Sequence, residues 1–223
     1  GLYLLIDFCT VIVPFLFSFH PKLQFYKQFK AFFLSCFTVG ALFVLWDVYF
    51  TSIGVWGFNP DYLIGIYLFN LPIEEVLFFV CVPFSCVYSY HCLNLFYDFN
   101  IEQKTEQRVV AILSALLLFV GVVYYDRLYT VVTFISLALL LVYFSFFRRT
   151  SWLGKLMKIY LFLLIPFFIV NGILTGTGLE APIVWYNNQE NLGVRLLTIP
   201  IEDTFYGFEL IVLNVFFYEK WKA

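Results

Sequence analysis

Two four-residue phrases carry acids to the mouths of long apolar runs: Pro72-Ile73-Glu74-Glu75 and, 128 residues later, Pro200-Ile201-Glu202-Asp203. Ionisable groups at or just inside hydrocarbon are costly and mark functional sites. Close carboxyls cannot all ionise, and an apolar wall disfavours charge further. Such a group yields a protonated acid backed by an anion that takes the proton back, which is the pairing general acid–base chemistry needs. A lone first-turn acid would suit the positive end of a helix dipole without any further role. The recurrence of the whole phrase, in register with its flanks, favours chemistry.

The elements that must position these acids are membrane helices. Hydrophobic residues are 62% of the chain and charged residues 13%, against about 25% charged in soluble domains. A spanning helix needs roughly 20 apolar residues. Seven stretches qualify, at about Leu2–Phe19, Ala31–Phe50, Ile73–Leu95, Val109–Tyr125, Tyr129–Phe147, Tyr160–Leu174 and Leu197–Tyr218. Pro72 and Pro200 suit the first helical position. Leu63–Leu71 is too short to cross and reads as an interfacial helix or a re-entrant segment. Eleven of the thirteen Lys and Arg fall on one set of loops and the C-terminal tail, with Arg127 and Arg195 opposite. The positive-inside rule then puts the N-terminus outside and the C-terminus in the cytoplasm of a multi-pass protein of the cell (inner) membrane. No cleavable signal peptide is visible.

The recurrence extends beyond the acids. Trp46-Asp47 leads through Gly54, Trp56, Gly57, Asn59 and Pro60 to the first phrase. Asn171-Gly172 leads through Gly176, Gly178, Pro182, Trp185, Tyr186 and Asn187 to the second. The expected fold is an all-α integral membrane domain over 1–223. Two parallel three-helix repeats, helices 1–3 in 1–105 and helices 5–7 in 128–223, are joined by a linking helix at 109–126. Parallel repeats place a shared site at their interface.

Successive helical residues turn by 100°, so the two acids of one phrase cannot point the same way. The reading takes Glu74 and Glu202 as the matched proton-handling pair, with Glu75 and Asp203 as their partners. Asp47 and Asn171 occupy equivalent places and either hydrogen-bond the acids or cap their helices. Arg195 is an outer-leaflet anchor or a counter-ion. The aromatic load of 30 Phe, 16 Tyr and 5 Trp is mostly lipid-facing bulk. Trp46, Trp56, Tyr62, Phe78, Trp185, Tyr186 and Tyr206 stand near the acids and suit a cation-tolerant wall. His91 reads as interfacial. The five cysteines form no CxxC pair and read as reduced buried thiols, and no zinc signature is present. There is no GxGxxG dinucleotide fingerprint, no DxxxD diphosphate motif, and no lysine between Arg195 and Lys220 for a retinal Schiff base.

Asn70-Leu71-Pro72-Ile73-Glu74-Glu75 with Phe78-Phe79, and Thr198-Ile199-Pro200-Ile201-Glu202-Asp203 with Tyr206, resemble the small membrane-type lycopene cyclases. Trp46-Asp47 and Asn171-Gly172-Ile173-Leu174-Thr175 carry the same resemblance. It covers essentially the whole chain, as a fused form of the two-subunit bacterial enzymes related to the cyclase half of fungal bifunctional proteins. The resemblance implies redox-neutral cyclisation of the ψ-end groups of lycopene, taken from the lipid phase, with no flavin, nicotinamide or metal cofactor. Nucleic acid is not an expected partner; membrane lipid is, as is association with other carotenoid enzymes or a second copy. A non-catalytic carotenoid-binding protein and a proton-coupled transporter are the alternatives.

Overall fold

The structure, a computed structural model, describes residues 1–222; Ala223, where the second repeat read from the sequence ends, lies outside the described residues. The described residues form seven α-helices: α1 (Leu2–Phe17), α2 (Phe29–Ser52), α3 (Ile73–Phe96), α4 (Gln103–Val123), α5 (Leu128–Val142), α6 (Leu153–Leu174) and α7 (Ile201–Trp221). A π-helical turn, Tyr143–Phe147, continues α5. Helices α2 to α6 are long and apolar enough to cross a membrane. Helix α1 has only 16 residues. Helix α7 has the length but carries Glu202, Asp203, Glu209 and Glu219, so the acids themselves lower its apolarity. Helix α6 begins seven residues ahead of the expected Tyr160, because Lys155 and Lys158 ride on its first turns instead of ending it.

Leu63–Leu71 is not an interfacial helix. It contributes a tight hairpin, β2 (Tyr67–Leu68) against β3 (Leu71–Pro72), after a first short strand, β1 (Trp56–Phe58). The same construction returns before α7, where β4 (Val184–Tyr186) is followed by β5 (Arg195–Leu196) paired with β6 (Ile199–Pro200). Both hairpins turn on a non-glycine residue in the left-handed region, Phe69 at φ 55° and Leu197 at φ 59°. That conformation costs an L-residue about 1–2 kcal/mol. Each hairpin is tied to the helix it precedes, by Ile73 N donating to Ile66 O at 2.9 Å and Ile201 N to Val194 O at 3.0 Å. Pro72 and Pro200 are therefore not the first helical residues; each stands one position earlier, in extended backbone.

Strands β1 and β4 pair antiparallel, with Gly57 opposite Trp185, Trp56 opposite Tyr186 and Phe58 opposite Val184. Shifting β1 by 128 residues gives β4, so this register is unchanged when the strands are exchanged, as a twofold axis through the Gly57–Trp185 pair requires. Gly57 is needed there because a β-carbon would overlap the Trp185 indole. Below this ladder α1 lies along α3, α2 along α7, and α5 between α4 and α7. The main core, including Phe32, Phe84, Leu137, Leu141, Leu156 and Val215, lies toward the other end of the bundle.

Candidate active site

The hairpins decide which way each acid points. Folded back over the first turn of its helix, each presents a backbone N–H to the first acid of the phrase. Ile64 N donates to Glu74 Oε1 at 2.7 Å, and Leu192 N donates to Glu202 Oε1 at 2.8 Å. Glu202 Oε1 also accepts from Thr130 Oγ1 at 2.6 Å. Both glutamates are fully buried. A rotation of 100° then turns the second acid of each phrase, Glu75 and Asp203, into one common cavity. Its volume is about 640 Å3 and its walls come from α1, α3, α5, α6, α7, β1 and β4. Glu74 and Glu202, the expected proton-handling pair, are not among the lining residues; Glu75 and Asp203 are.

The surroundings of these two acids correspond, with two differences. The second residue of α1, Tyr3, donates its hydroxyl to Glu75 Oε2 at 2.5 Å. The second residue of α5, Tyr129, donates to Asp203 Oδ1 at 2.6 Å. From α2, the carboxyl of Asp47 lies beside Glu75. From α6, the amide of Asn171 donates to Asp203 Oδ2 at 2.9 Å. Two carboxyls buried side by side cannot both ionise readily. Trp56 Nε1 and Thr51 Oγ1 both donate to Asp47 Oδ1, the latter at 3.1 Å. Among the described residues no donor reaches Asp47 Oδ2. Asp203 instead takes a third neutral donor, Tyr186 Oη, at 2.9 Å. Burial, with Asp203 beside it, holds the Tyr186 phenol well above its ordinary pKa, so it stays a donor. The two acids thus stand in unlike settings, Glu75 beside a second carboxyl and Asp203 among neutral donors.

Aromatic rings gather around the two acids, and aliphatic side chains line much of the rest of the cavity. Trp56 and Tyr129 meet edge to face at 5.1 Å, Tyr129 and Tyr186 stack at 6.0 Å, and Tyr206 approaches Trp56 at 6.1 Å. Phe78 and Tyr160 complete the walls. Of the seven aromatics singled out in the sequence, Trp56, Phe78, Tyr186 and Tyr206 line the cavity. Trp46 packs on the far side of Tyr206, at 5.1 Å, and Tyr62 packs with Tyr3 and Ile6. Trp185 covers Gly57 and is 44% exposed. Arg195 meets no carboxylate; it donates to Thr198 O at 2.7 Å and Asn188 Oδ1 at 2.8 Å, clasping its own loop. Sequence reasoning missed Tyr3, Tyr129 and Thr130. The first two were findable, since each is the second residue of its repeat's first helix. Three further carboxyls, Asp7 on α1, Glu106 on α4 and Glu209 on α7, are buried outside the lining.

The family model described as lycopene cyclase matches residues 1–93 and 126–221 of this chain. No curated protein and no solved structure matches it.

Proposed function

Because the chain belongs to the lycopene cyclase family, we propose that it closes the acyclic ψ-ends of lycopene to β-ionone rings by acid–base catalysis without net redox change. The single observation that carries this reading is the convergence of Glu75 and Asp203, in unlike hydrogen-bond settings, on one aromatic-walled cavity. The acid of the Asp47–Glu75 pair is presented by Glu75, which gives its proton to C2 of the terminal double bond, leaving a tertiary cation at C1. The π electrons of C5=C6 form the C1–C6 bond, and the charge passes to C5. Asp203 removes the C6 proton, and the electrons of that C–H bond restore C5=C6. Loss of the C4 proton instead would give the ε-ring. One proton leaves Glu75 and one arrives at Asp203, so the site is reset when a proton returns across the cavity.

Each cationic stage lies among aromatic faces, worth roughly 1–2 kcal/mol apiece when water is absent. A carotene filling the cavity excludes the water that would otherwise trap the cation. Glu74 and Glu202 act one step back, by holding the hairpins that set the direction of Glu75 and Asp203. Seven membrane crossings, two repeats at 1–105 and 128–223, the linking helix 109–126 and an outside N-terminus belong to the same reading. It is supported by the two hairpins 128 residues apart and by the gap between the two segments that match the family.

The test is expression in cells that accumulate lycopene, followed by chromatography of the pigments. A shift to γ-carotene and β-carotene is expected. Unchanged lycopene beside a folded, membrane-inserted protein would leave carotenoid binding as the function.

A further inference from the structure

Helix α2 packs closely along α7, whereas its counterpart α6 meets α3 only sparsely. The two halves of the bundle are therefore unequal, and the cavity lies where the second contact is not made. Residues in equivalent places explain the difference. Asp47 corresponds to Asn171 on α2 and α6, and Glu75 to Asp203 on α3 and α7, which sets the register of each helix pair. By that register Trp46 corresponds to Val170, Phe79 to Gly207, and Leu42 to Pro166.

On the α2 side, Phe43 meets Phe79 at 6.0 Å and Tyr206 at 5.1 Å, and Trp46 closes on Tyr206. Ser35 Oγ, also on α2, donates to Asn214 O of α7 at 2.6 Å, locking the contact. On the α6 side the two large rings are replaced by Val170 and by Gly207, which has no side chain. Pro166 sits inside α6, where it removes a ladder hydrogen bond. Val170, Gly207 and Pro166 all line the cavity.

We propose that the chain carries one open and one closed copy of the same carotenoid cavity. The open copy takes one end of the carotenoid from the lipid between α1 and α6. The closed copy, behind α2, is filled by Trp46 and Phe79. The proposal rests on the cyclase reading and adds to it how many ends are held at once. Leu5, Cys9 and Ile169 line the cavity and are exposed to the surroundings of the bundle, which marks the side on which it opens. Along α3 the lining runs from Glu75 to Ser89, which at 1.5 Å per residue is about 21 Å. An extended carotene is about as long as the hydrocarbon layer is thick, ~30 Å, so its far end stays outside while the near end reaches the acids. The two rings are made in separate visits, and the monocyclic carotene returns to the lipid between them.

Two measurements on the wild-type protein in vesicles test this. The first is saturation with lycopene in the cold, counting bound carotenoid per chain and the rate at which a bulky, lipid-soluble maleimide labels Cys9. One carotenoid per chain and labelling slowed at least tenfold are expected. Two per chain, or unchanged labelling at saturation, would overturn the proposal. The second is a chase, in which excess unlabelled lycopene is delivered to vesicles midway through turnover of isotopically labelled lycopene. Labelled γ-carotene should persist, because it must compete to re-enter. Labelled β-carotene forming with no labelled γ-carotene left in the lipid would overturn it as well. A protein that protects Cys9 but yields no ring at all would sink the cyclase reading and leave the α1–α6 cleft standing.

Discussion

Asp47 and Glu75 meet carboxyl to carboxyl, whereas the corresponding contact, Asn171 with Asp203, joins an amide to a carboxylate. In the proposed mechanism that exchange of an acid for an amide sets the proton-giving half apart from the proton-accepting half. Replacing Asp47 by Asn makes the first half like the second and leaves no partner to share the proton. Ring closure should fall about 10- to 100-fold, a modest part of the 10²–10⁴ that a positioned proton donor contributes. Bound carotenoid per chain should not change. The check is the initial rate of γ-carotene formation in vesicles alongside the saturation count; an unaltered rate would remove Asp47 from the site.

The two acids of each phrase should separate under substitution. Glu75→Gln and Asp203→Asn each remove a group that faces the cavity, and ring formation should drop by 10²-fold or more. Glu74→Gln and Glu202→Gln keep a carbonyl oxygen for Ile64 N and Leu192 N, so activity should stay within about tenfold. Their Ala variants strand a buried N–H, at about 1–3 kcal/mol. Melting temperatures should then fall by roughly 2–4 °C per kcal/mol for a chain of this size. Pigment analysis with thermal unfolding in detergent decides the matter. An inactive but fully stable Glu74→Gln protein would return the chemistry to the first acid.

The reach of the sequence ends at this distinction. The seven helices are legible because their apolar runs are long and bounded by charge, and the repeat because Pro72 and Pro200 carry the same phrase. The hairpins are not: Leu63–Leu71 is apolar but for Gly65 and Asn70, and the positive φ of its turn falls on Phe69, a residue type with no preference for it. With the hairpins unseen, nothing in the sequence says that Ile64 captures Glu74, and hence that Glu75 is the acid left facing the cavity. Trp46 misleads for a related reason. It adjoins Asp47 in the chain, but helical rotation carries its ring to the closed side of the bundle.

Asp203 should depend on its phenols in steps. Tyr129→Phe and Tyr186→Phe each delete one hydrogen bond to a charged group, worth about 1.5–3 kcal/mol, or roughly 10- to 100-fold in rate. Neither change removes aromatic surface, so carotenoid binding should be retained. Initial rates for the single and double variants provide the check. Losses that add in the double variant would mean the phenols act independently rather than on one shared carboxylate.

Gly57 and Trp185 offer the sharpest test of the strand pair that joins the halves. Their backbones face each other across the ladder, and the indole occupies the space a side chain at 57 would need. Trp56, beside Gly57, holds Asp47, and Tyr186, beside Trp185, holds Asp203. Gly57→Ala should therefore disturb both acids together and lower turnover about tenfold. Trp185→Ala alone removes a half-exposed ring and should cost little. If the overlap is the cause, adding Trp185→Ala to Gly57→Ala makes room for the methyl and restores activity. The coupling should fall in the 0.5–3 kcal/mol range of residues in direct contact. A double variant no better than Gly57→Ala would mean that the glycine serves backbone freedom rather than space.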